Sequence, residues 1–255
     1  MTILPDIPSF RLDGRRALVS GAGRGIGLGC AYALAHAGAH VTLAARSEGE
    51  IKAASEAIAD QGLKATYQVL DVSDLEAVRA VFKAAVPFDI LVNNAGTNRP
   101  KPMQDVSEDD FDAVMNLNVK SAFFVAQSFA QNLITHKKSG SMIHIGSQMG
   151  HVGGINRSLY CASKWGMEGM NKAFALDLAG HGIRSNTIAP TFIETPLTKP
   201  FFEDEDFLKS VLSKIKIGRL GQVSDLLGAV VFLAGDASAL MTGTSMIIDG
   251  GWTAD

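Results

Sequence analysis

The feature that most constrains the fold of this chain is a glycine-rich run between a predicted strand and a predicted helix. Residues 16–20 (RALVS) have the apolar character of a buried strand, and GAGRGIG follows at residues 21–27. This arrangement predicts a turn whose backbone approaches a pyrophosphate at a helix N-terminus, although a flexible turn without a ligand is the alternative. The loop assigned to the pyrophosphate comprises Ser20, Gly21, Arg24, Gly25, Ile26 and Gly27.

Strand and helix patterns alternate along the whole chain, which predicts an α/β fold with a doubly wound parallel sheet. No linker, internal repeat or low-complexity segment interrupts the alternation, so we expect one domain over residues 1–255. The remaining strands are predicted over residues 40–45, 64–70, 89–92, 141–146, 182–189 and 244–249.

Polar residues follow several of these strands at the point where each strand ends. The carboxyl ends of parallel strands meet at one edge of the sheet, where ligands bind in doubly wound folds. We therefore predict one ligand site that these residues share with the glycine loop. They are Asp71 and Val72 after the third strand, Asn94, Ala95 and Gly96 after the fourth, and Ser147 after the fifth.

The second strand ends at Ala45, where dinucleotide-binding folds usually carry an acidic residue that binds the ribose hydroxyls. Ala45 leaves room for a 2′-phosphate, and Arg46 can bind it with Arg24 as a second cation. The pattern predicts NADP(H) as the preferred cofactor, with NAD(H) as the alternative if Arg46 stacks on adenine or faces solvent. Asp71 has two open roles, contact with the adenine amino group or capping of the helix that begins near Asp74.

Tyr160 and Lys164 stand four residues apart on a predicted helix, so their side chains share one face. A cation beside a phenol favours the phenolate and lowers the pKa of the tyrosine toward neutrality, where acid–base catalysis is efficient. Ser147 can polarise the oxygen that gains or loses the proton. The same spacing also occurs in surface pairs without a catalytic role, so the pair alone leaves that alternative open.

A long helix is predicted over residues 107–136, with Ser107 as its N-cap. Asn118 lies among apolar residues of this helix, and a buried amide must hydrogen-bond water or a backbone carbonyl. Residues 191–215 combine prolines, aromatic residues and acids without a strand pattern, which favours a helical lid over the site.

Composition excludes several classes of partner. The net charge is -3 and no basic run tracks a phosphate backbone, which argues against nucleic acid. No stretch is long and apolar enough for a membrane span or a secretion signal, so we expect a cytoplasmic protein that does not bind membranes. The two cysteines, Cys30 and Cys161, form neither a metal-binding nor a disulfide spacing, so we expect no metal.

Together, GAGRGIG, NNAG, Asn118, Ser147 and YCASK make the chain resemble the short-chain dehydrogenase/reductase family over residues 10–255. The resemblance implies a Rossmann sheet of seven parallel strands, an NAD(P)-dependent oxidoreductase and a catalytic set of Asn118, Ser147, Tyr160 and Lys164. In that scheme Tyr160 is the acid or base, Lys164 also holds the nicotinamide ribose, and Asn118 anchors a water relay. The resemblance also implies cofactor contacts from Pro190, Ile193 and Thr195.

Two positions depart from the family pattern. Ser20 replaces a threonine and keeps its hydroxyl, and Thr191 replaces the glycine of a Pro-Gly pair beside the nicotinamide. The segments DAVMNLNVKSAFF and IDGGW look similar to sugar-acid dehydrogenases of the family, although 3-oxoacyl-carrier-protein reductases share much of the same frame. A non-catalytic dinucleotide-binding sensor or scaffold is a third alternative, because fold alone does not set function.

The substrate is expected to be a small carbonyl or alcohol, such as a sugar, a polyol or a keto sugar acid. Polar and cationic residues near the predicted pocket suit an anionic or hydroxylated molecule. These residues are Asn98, Arg99, Gln148, His151, Asn156 and Arg157. Apolar helices and the family resemblance further predict a homotetramer.

Overall fold

A computed structural model describes residues 3–254 and forms a parallel sheet of seven strands within them. Their order across the sheet is β3-β2-β1-β4-β5-β6-β7. This confirms the predicted doubly wound α/β fold, and every predicted strand is present with its ends shifted by no more than one residue. The strands are β1 Arg16–Ser20, β2 His40–Ala45, β3 Ala65–Val69, β4 Ile90–Asn93, β5 Gly140–Ile145, β6 Ile183–Pro190 and β7 Ser245–Ile248.

Helices cover both faces of the sheet, as the alternating pattern requires. Successive residues of a strand point to opposite faces, so Leu18 joins one apolar cluster while Val19 joins the other. The helices are α1 Gly25–His36, α2 Glu48–Ala59, α3 Leu75–Ala84, α4 Glu108–Met115, α5 Ala122–Thr135, α6 Ser158–Leu178, α7 Glu205–Leu212 and α8 Ser224–Ala234.

The predicted continuous helix over residues 107–136 is wrong at its centre. A π-helical turn, Asn116–Ser121, separates α4 from α5 and contains Asn118. Such turns insert one extra residue and often lie at functional sites. The start of the helix agrees with the prediction, because Ser107 and Asp110 form a reciprocal capping box.

The sheet order reverses direction beside β1, between β1 and β4, and this switch point is where doubly wound folds bind ligands. Val19 pairs with Val92 in register, and Asn93 pairs with His144. The residues that follow β1, β4 and β5 therefore meet at one edge.

The segment predicted as a lid follows β6 and is helical in part, with a 3₁₀ turn over Lys199–Glu203 before α7. Phe192 contacts the rings of Phe202, Phe207 and Trp252 at centroid distances of 6.2, 5.7 and 5.6 Å. This aromatic cluster packs the lid against the C-terminal residues. Across residues 3–254, no helix combines the length and apolarity that crossing a membrane requires.

Candidate active site

A cavity of about 860 Å³ runs along the carboxyl edge of the sheet and collects most of the predicted site residues. Four predicted residues, Ser20, Asn118, His151 and Asn156, do not line it. The predicted site residues that do line the cavity are Gly21, Arg24, Gly25, Ile26, Gly27, Arg46, Asp71, Val72, Asn94, Ala95, Gly96, Asn98, Arg99, Ser147, Gln148, Arg157, Tyr160, Lys164, Pro190, Ile193 and Thr195.

The glycine turn is shaped by close backbone approach at one end of this cavity. Gly21 has a φ of 63°, which favours glycine, and a Cβ on it would lie 3.0 Å from the Ala95 Cα atom. A Cβ on Gly27 would overlap the Gly21 carbonyl oxygen. The turn therefore leaves open backbone at the N-terminus of α1, which fits the pyrophosphate of a dinucleotide.

The Ser20 side chain lies outside the cavity lining and hydrogen-bonds the loop after β4. Its hydroxyl accepts from the backbone N–H groups of Asn94 and Ala95 at 3.0 and 3.1 Å. The Asn94 side chain donates back to the Ser20 and Gly21 carbonyls at 2.9 and 3.1 Å. These bonds join the loop after β1 to the loop after β4, so the Ser20 hydroxyl is engaged by protein groups.

The cations at the predicted adenosine end differ in their partners. Arg24 lies 3.7 Å from the Glu50 carboxylate, whereas Arg46 is exposed beside the cavity with no ion-pair partner within residues 3–254. Asp71 does not cap α3, because Asp74 accepts from the Glu76 and Ala77 N–H groups and fills that role.

Asp71 instead accepts from the Ser73 backbone N–H and hydroxyl at 2.9 and 2.6 Å. Burial acts to raise the pKa of Asp71, but the Ser73 hydrogen bonds and the charge of Arg46 outweigh it and hold this pKa below its usual value. An ionised Asp71 at the cavity wall is suited to accept from a ligand N–H group.

Asn118 is fully buried and all of its described bonds go to protein groups. Its carbonyl oxygen accepts from the Thr97 N–H at 2.8 Å, and its amide donates to the Thr97 carbonyl at 2.8 Å and the Ser163 hydroxyl at 3.1 Å. Of the two partners expected for this amide, water or a backbone carbonyl, the structure shows the carbonyl of Thr97. Asn118 thereby fixes the loop after β4 against α6, which carries Tyr160.

Ser147 follows β5 and is 6% exposed. Its hydroxyl donates to the Gln148 carboxamide oxygen at 2.9 Å and accepts from the Met149 N–H at 3.1 Å. Gln148 is also buried, so the two residues form a fixed polar pair at the cavity wall. The hydroxyl also lies close enough to the Tyr160 phenol to lower the pKa of that phenol.

Tyr160 lies in the first turn of α6, where the helix dipole favours a phenolate. Burial nevertheless raises the pKa of Tyr160 above its ordinary value, and Ser147 and the Arg157 charge lower it only in part. The expected lowering toward neutrality by Lys164 is not what this structure shows. The Lys164 ammonium lies 5.6 Å from the centre of the Tyr160 ring.

Lys164 is itself buried, and its ammonium donates to the Ile145 carbonyl at 2.7 Å. Burial lowers the pKa of Lys164 to about 8, while the charge of Glu168 acts to raise it. Glu168 stands one helical turn further along α6 and accepts from the Thr187 hydroxyl at 2.8 Å. Burial raises the pKa of Glu168, and its hydrogen bonds and the neighbouring cations only partly offset this effect.

The sequence analysis missed Glu168, although its position four residues after Lys164 offered a usable signal. His151, predicted to contact substrate, belongs to the same network and stands 3.6 Å from the Glu168 carboxylate and 3.0 Å from the Ser245 hydroxyl. Asn156 is exposed with a φ of 58°, and its carbonyl accepts from the Lys101 N–H. The structure brings neither residue into the cavity lining.

The two predicted substrate arginines also have different surroundings. Arg99 is half exposed and pairs with Asp110 at 3.1 Å. Arg157 is 6% exposed, and none of the acids in residues 3–254 lies within ion-pair distance of it. Its guanidinium stacks on Phe201 and Phe207 of the lid at 5.8 and 6.0 Å.

Burial lowers the pKa of Arg157, and nearby Tyr160 and Cys161 act in the opposite direction. A guanidinium nevertheless keeps its charge in proteins. A permanently charged group with little solvent and no acidic partner therefore lies in the cavity wall beside Tyr160. Among the described residues, no group of three or more His, Cys, Asp or Glu side chains is placed to hold a metal ion.

The glycine turn, the adjacent cavity and the Ser–Tyr–Lys cluster define a dinucleotide-dependent oxidoreductase. A family model described as "Enoyl-(Acyl carrier protein) reductase" matches residues 21–253. The chain belongs to the short-chain dehydrogenase/reductase family, which confirms the resemblance seen in its sequence motifs.

Three known proteins illustrate this similarity. Gluconate 5-dehydrogenase of Gluconobacter oxydans (strain 621H) is 38% identical over 253 residues, which cover 98% of each chain. A 3-oxoacyl-[acyl-carrier-protein] reductase of Vibrio harveyi is 35% identical over 243 residues, covering 95% of this chain and 98% of the relative. The third is a gluconate 5-dehydrogenase of Burkholderia cenocepacia J2315, whose crystal structure was solved in complex with NADP and tartrate. Its sequence is 37% identical, and the two structures superpose with a TM-score of 0.93 over 96% of this chain and 98% of that chain.

Proposed function

We propose that this protein is an NADP(H)-dependent oxidoreductase that interconverts a secondary alcohol and a ketone on a small sugar acid or keto sugar acid. The observation that carries the proposal is the Arg157 guanidinium, which lies buried in the cavity wall without an acidic partner among residues 3–254. Arg157 Nη1 donates to the Asn156 carbonyl at 3.3 Å, but a neutral carbonyl does not balance the charge. Burying a charge without a counter-ion is costly, so such a group is expected to meet an anion supplied by the ligand.

A carboxylate is the anion that suits this position. A guanidinium binds a carboxylate with two parallel hydrogen bonds, and the Arg157 guanidinium lies 5.8 and 6.0 Å from the ring centres of Phe201 and Phe207. Arg99 is a weaker candidate, because Asp110 already neutralises it. The bound tartrate of the Burkholderia relative, a hydroxylated dicarboxylate, supports the same class of ligand.

The reacting end of the substrate is assigned to Ser147, Tyr160 and Lys164. NADP(H) supplies or accepts the hydride when bound. Tyr160 donates a proton to the carbonyl oxygen in the reductive direction and removes one from the alcohol in the oxidative direction. The Ser147 hydroxyl has one proton, which it donates to Gln148 in this structure and would redirect to the same oxygen when substrate binds. Lys164 provides a positive charge beside the phenol, and Asn118 holds the neighbouring loop in place.

Preference for NADP(H) is supported by the adenosine end of the cavity. Ala45 contributes no carboxylate, and the exposed Arg46 guanidinium is available to a 2′-phosphate. The Glu50 carboxylate beside Arg24 is the opposing feature, because it neutralises one of the two predicted cations. NADP bound in the Burkholderia relative supports this cofactor.

Reduction of a 3-oxoacyl thioester is the second candidate function. Phe201 and Leu197 of the lid line the cavity, and Leu197 is 57% exposed, so an acyl chain would have apolar contacts there. The acyl-carrier-protein reductase of Vibrio harveyi is a relative of this kind. The same lid, however, places its other aromatic rings against one another and Arg157 against Phe201, which favours the anionic substrate.

A substrate panel tests this proposal. Turnover with NADPH and NADP⁺ would be measured on keto sugar acids, neutral keto sugars, polyols and 3-oxoacyl thioesters. We expect kcat/KM to be at least about tenfold higher for the keto sugar acids, since a charge-assisted hydrogen bond contributes about 1.5–3 kcal/mol. A preference for thioesters or neutral sugars would overturn the assignment.

Variants of Arg157 connect that preference to the residue. Arg157→Met keeps apolar packing against the lid rings and should lose about ten- to a hundredfold in kcat/KM on the sugar acid, while neutral ketones change little. Arg157→Lys, the matched control, keeps the charge and should retain more of the preference. Thermal unfolding of both variants would show whether a loss of folding accounts for a loss of activity.

A further inference from the structure

Two residues that line the cavity each have a buried side-chain oxygen atom without a hydrogen-bond partner. The two atoms are Oγ1 of Thr191 and Oδ1 of Asn98. Within residues 3–254, the one other buried side-chain atom without a partner is Nε of Arg16, which lies outside the cavity lining. Buried polar groups in folded proteins nearly always have a hydrogen-bond partner, so two unpartnered oxygens on residues of one cavity point to a ligand that bonds them.

Thr191 lies at the same edge of the sheet as Ser147 and lines the cavity that also contains Tyr160 and Lys164. Thr191 directly follows β6 and is 9% exposed, and its backbone N–H donates to the Ile248 carbonyl at 3.1 Å. Ile145 of β5 pairs with Ile188 of β6, so Ser147 and Thr191 follow the ends of adjacent strands. The backbone of Thr191 is therefore held by the sheet while its hydroxyl remains unpaired.

The hydrogen-bonding capacity of these two oxygen atoms indicates which kind of ligand group could bond them. Oδ1 of Asn98 is an acceptor and requires a donor, whereas the Thr191 hydroxyl can both donate and accept. A substrate hydroxyl meets both requirements because it also donates and accepts. The methylene groups of an acyl chain do neither, and would leave both oxygens unsatisfied at a cost in binding.

We infer that Thr191, with Asn98, is a specificity-determining residue that recognises the hydroxyl groups of a polyhydroxylated substrate. This inference rests on the proposed function, and it adds the reason why a sugar acid is preferred over an unsubstituted oxo acid of the same length.

A cycle of two variants and two ketones tests the inference. The probes are 5-oxogluconate and 5-oxohexanoate, which share chain length, carboxylate and ketone position but differ in their hydroxyl groups. Thr191→Val removes the hydroxyl at nearly constant volume, and Thr191→Ser keeps it. The dissociation constant of NADPH would be measured for each protein by fluorescence titration, which reports on the fold and on cofactor contacts independently of turnover.

We expect Thr191→Val to lower kcat/KM for 5-oxogluconate about three- to tenfold and for 5-oxohexanoate less than about twofold, as loss of one neutral hydrogen bond predicts. Thr191→Ser should keep the wild-type preference, and NADPH affinity should stay within about twofold. Equal losses on both ketones, no loss on either, or weakened NADPH binding would each overturn the inference. A wild-type protein that reduces neither ketone would instead refute the proposed function and this inference with it.

Discussion

The Lys164 ammonium donates to the backbone carbonyl of Ile145 at 2.7 Å. This bond joins the second turn of α6 to the last residue of β5, two positions before Ser147. Because both partners are buried, the bond fixes the distance between the helix that carries Tyr160 and the strand that leads to Ser147.

Tyr160→Phe should reduce turnover by at least about a hundredfold while leaving NADPH affinity within about twofold. The substitution removes the proton donor and keeps the ring, and positioned acid–base groups contribute about 10²- to 10⁴-fold. Steady-state kinetics and a cofactor titration check the two parts separately. Retention of more than about a tenth of the activity would show that another group transfers the proton.

Reductive turnover should fall as the pH rises through about 8, because the pKa of buried Lys164 lies near that value and its ammonium is lost above it. The pKa of Tyr160 is raised above its ordinary value by burial, so the phenol is not expected to titrate first. The measurement is the pH profile of kcat/KM between about pH 6 and 10. A profile that stays flat up to pH 10 would contradict this assignment.

Glu168→Gln should shift the fall in reductive kcat/KM at alkaline pH to lower pH values. The Glu168 charge raises the pKa of Lys164, so its removal lowers this pKa further, while the glutamine amide keeps a hydrogen-bonding group beside Thr187 and Ser245. A purely structural role for Glu168 would reduce stability without shifting this fall. The ratio of kcat/KM at pH 9 to that at pH 7 is the measurement, with thermal unfolding as the control.

Arg46→Ala should weaken NADPH binding about ten- to a hundredfold and NADH binding little, because the guanidinium is assigned to the 2′-phosphate and a charge-assisted contact contributes about 1.5–3 kcal/mol. Ala45→Asp should shift the preference toward NADH by adding repulsion. Titration of both cofactors decides the question. Equal or tighter NADH binding by the wild type would remove the NADP assignment and leave the catalytic one in place.

Glu50→Gln should strengthen NADPH binding by a few-fold. The Glu50 carboxylate lies 3.7 Å from Arg24, so its removal leaves Arg24 free to face a phosphate and also removes a nearby negative charge. Both groups are largely exposed, which keeps the effect small because solvent screens it. Unchanged NADPH affinity in low salt would place Arg24 away from the 2′-phosphate.

The protein should assemble as a tetramer with a mass four times the 27.0 kDa of one chain. Apolar side chains remain exposed on α5 and α6, among them Phe123 at 36%, Trp165 at 53% and Leu176 at 82%, and a contact between copies would bury them. Light scattering at micromolar concentration is the measurement. Trp165→Glu should lower the assembled mass, and a monomeric wild type would contradict the prediction.

The sequence by itself determined the sheet and the location of the site. Strand patterns, the glycine turn and the Tyr160–Lys164 spacing depend on neighbours a few residues away, so they can be read from local order. Since all strands run parallel, the residue after each strand end falls on the same edge. The strand pattern alone therefore predicts Ser147 beside the glycine loop, and both line the same cavity.

Only the tertiary structure decided which polar groups have partners. Arg24 pairs with Glu50 on another helix, Arg99 with Asp110, and Arg157 with no acid in residues 3–254. The π-helical turn at Asn118 escaped the sequence analysis because the partners of that amide, Thr97 and Ser163, come from other segments. Contacts between distant segments depend on the path of the loops, and the local periodicity of the sequence does not determine that path.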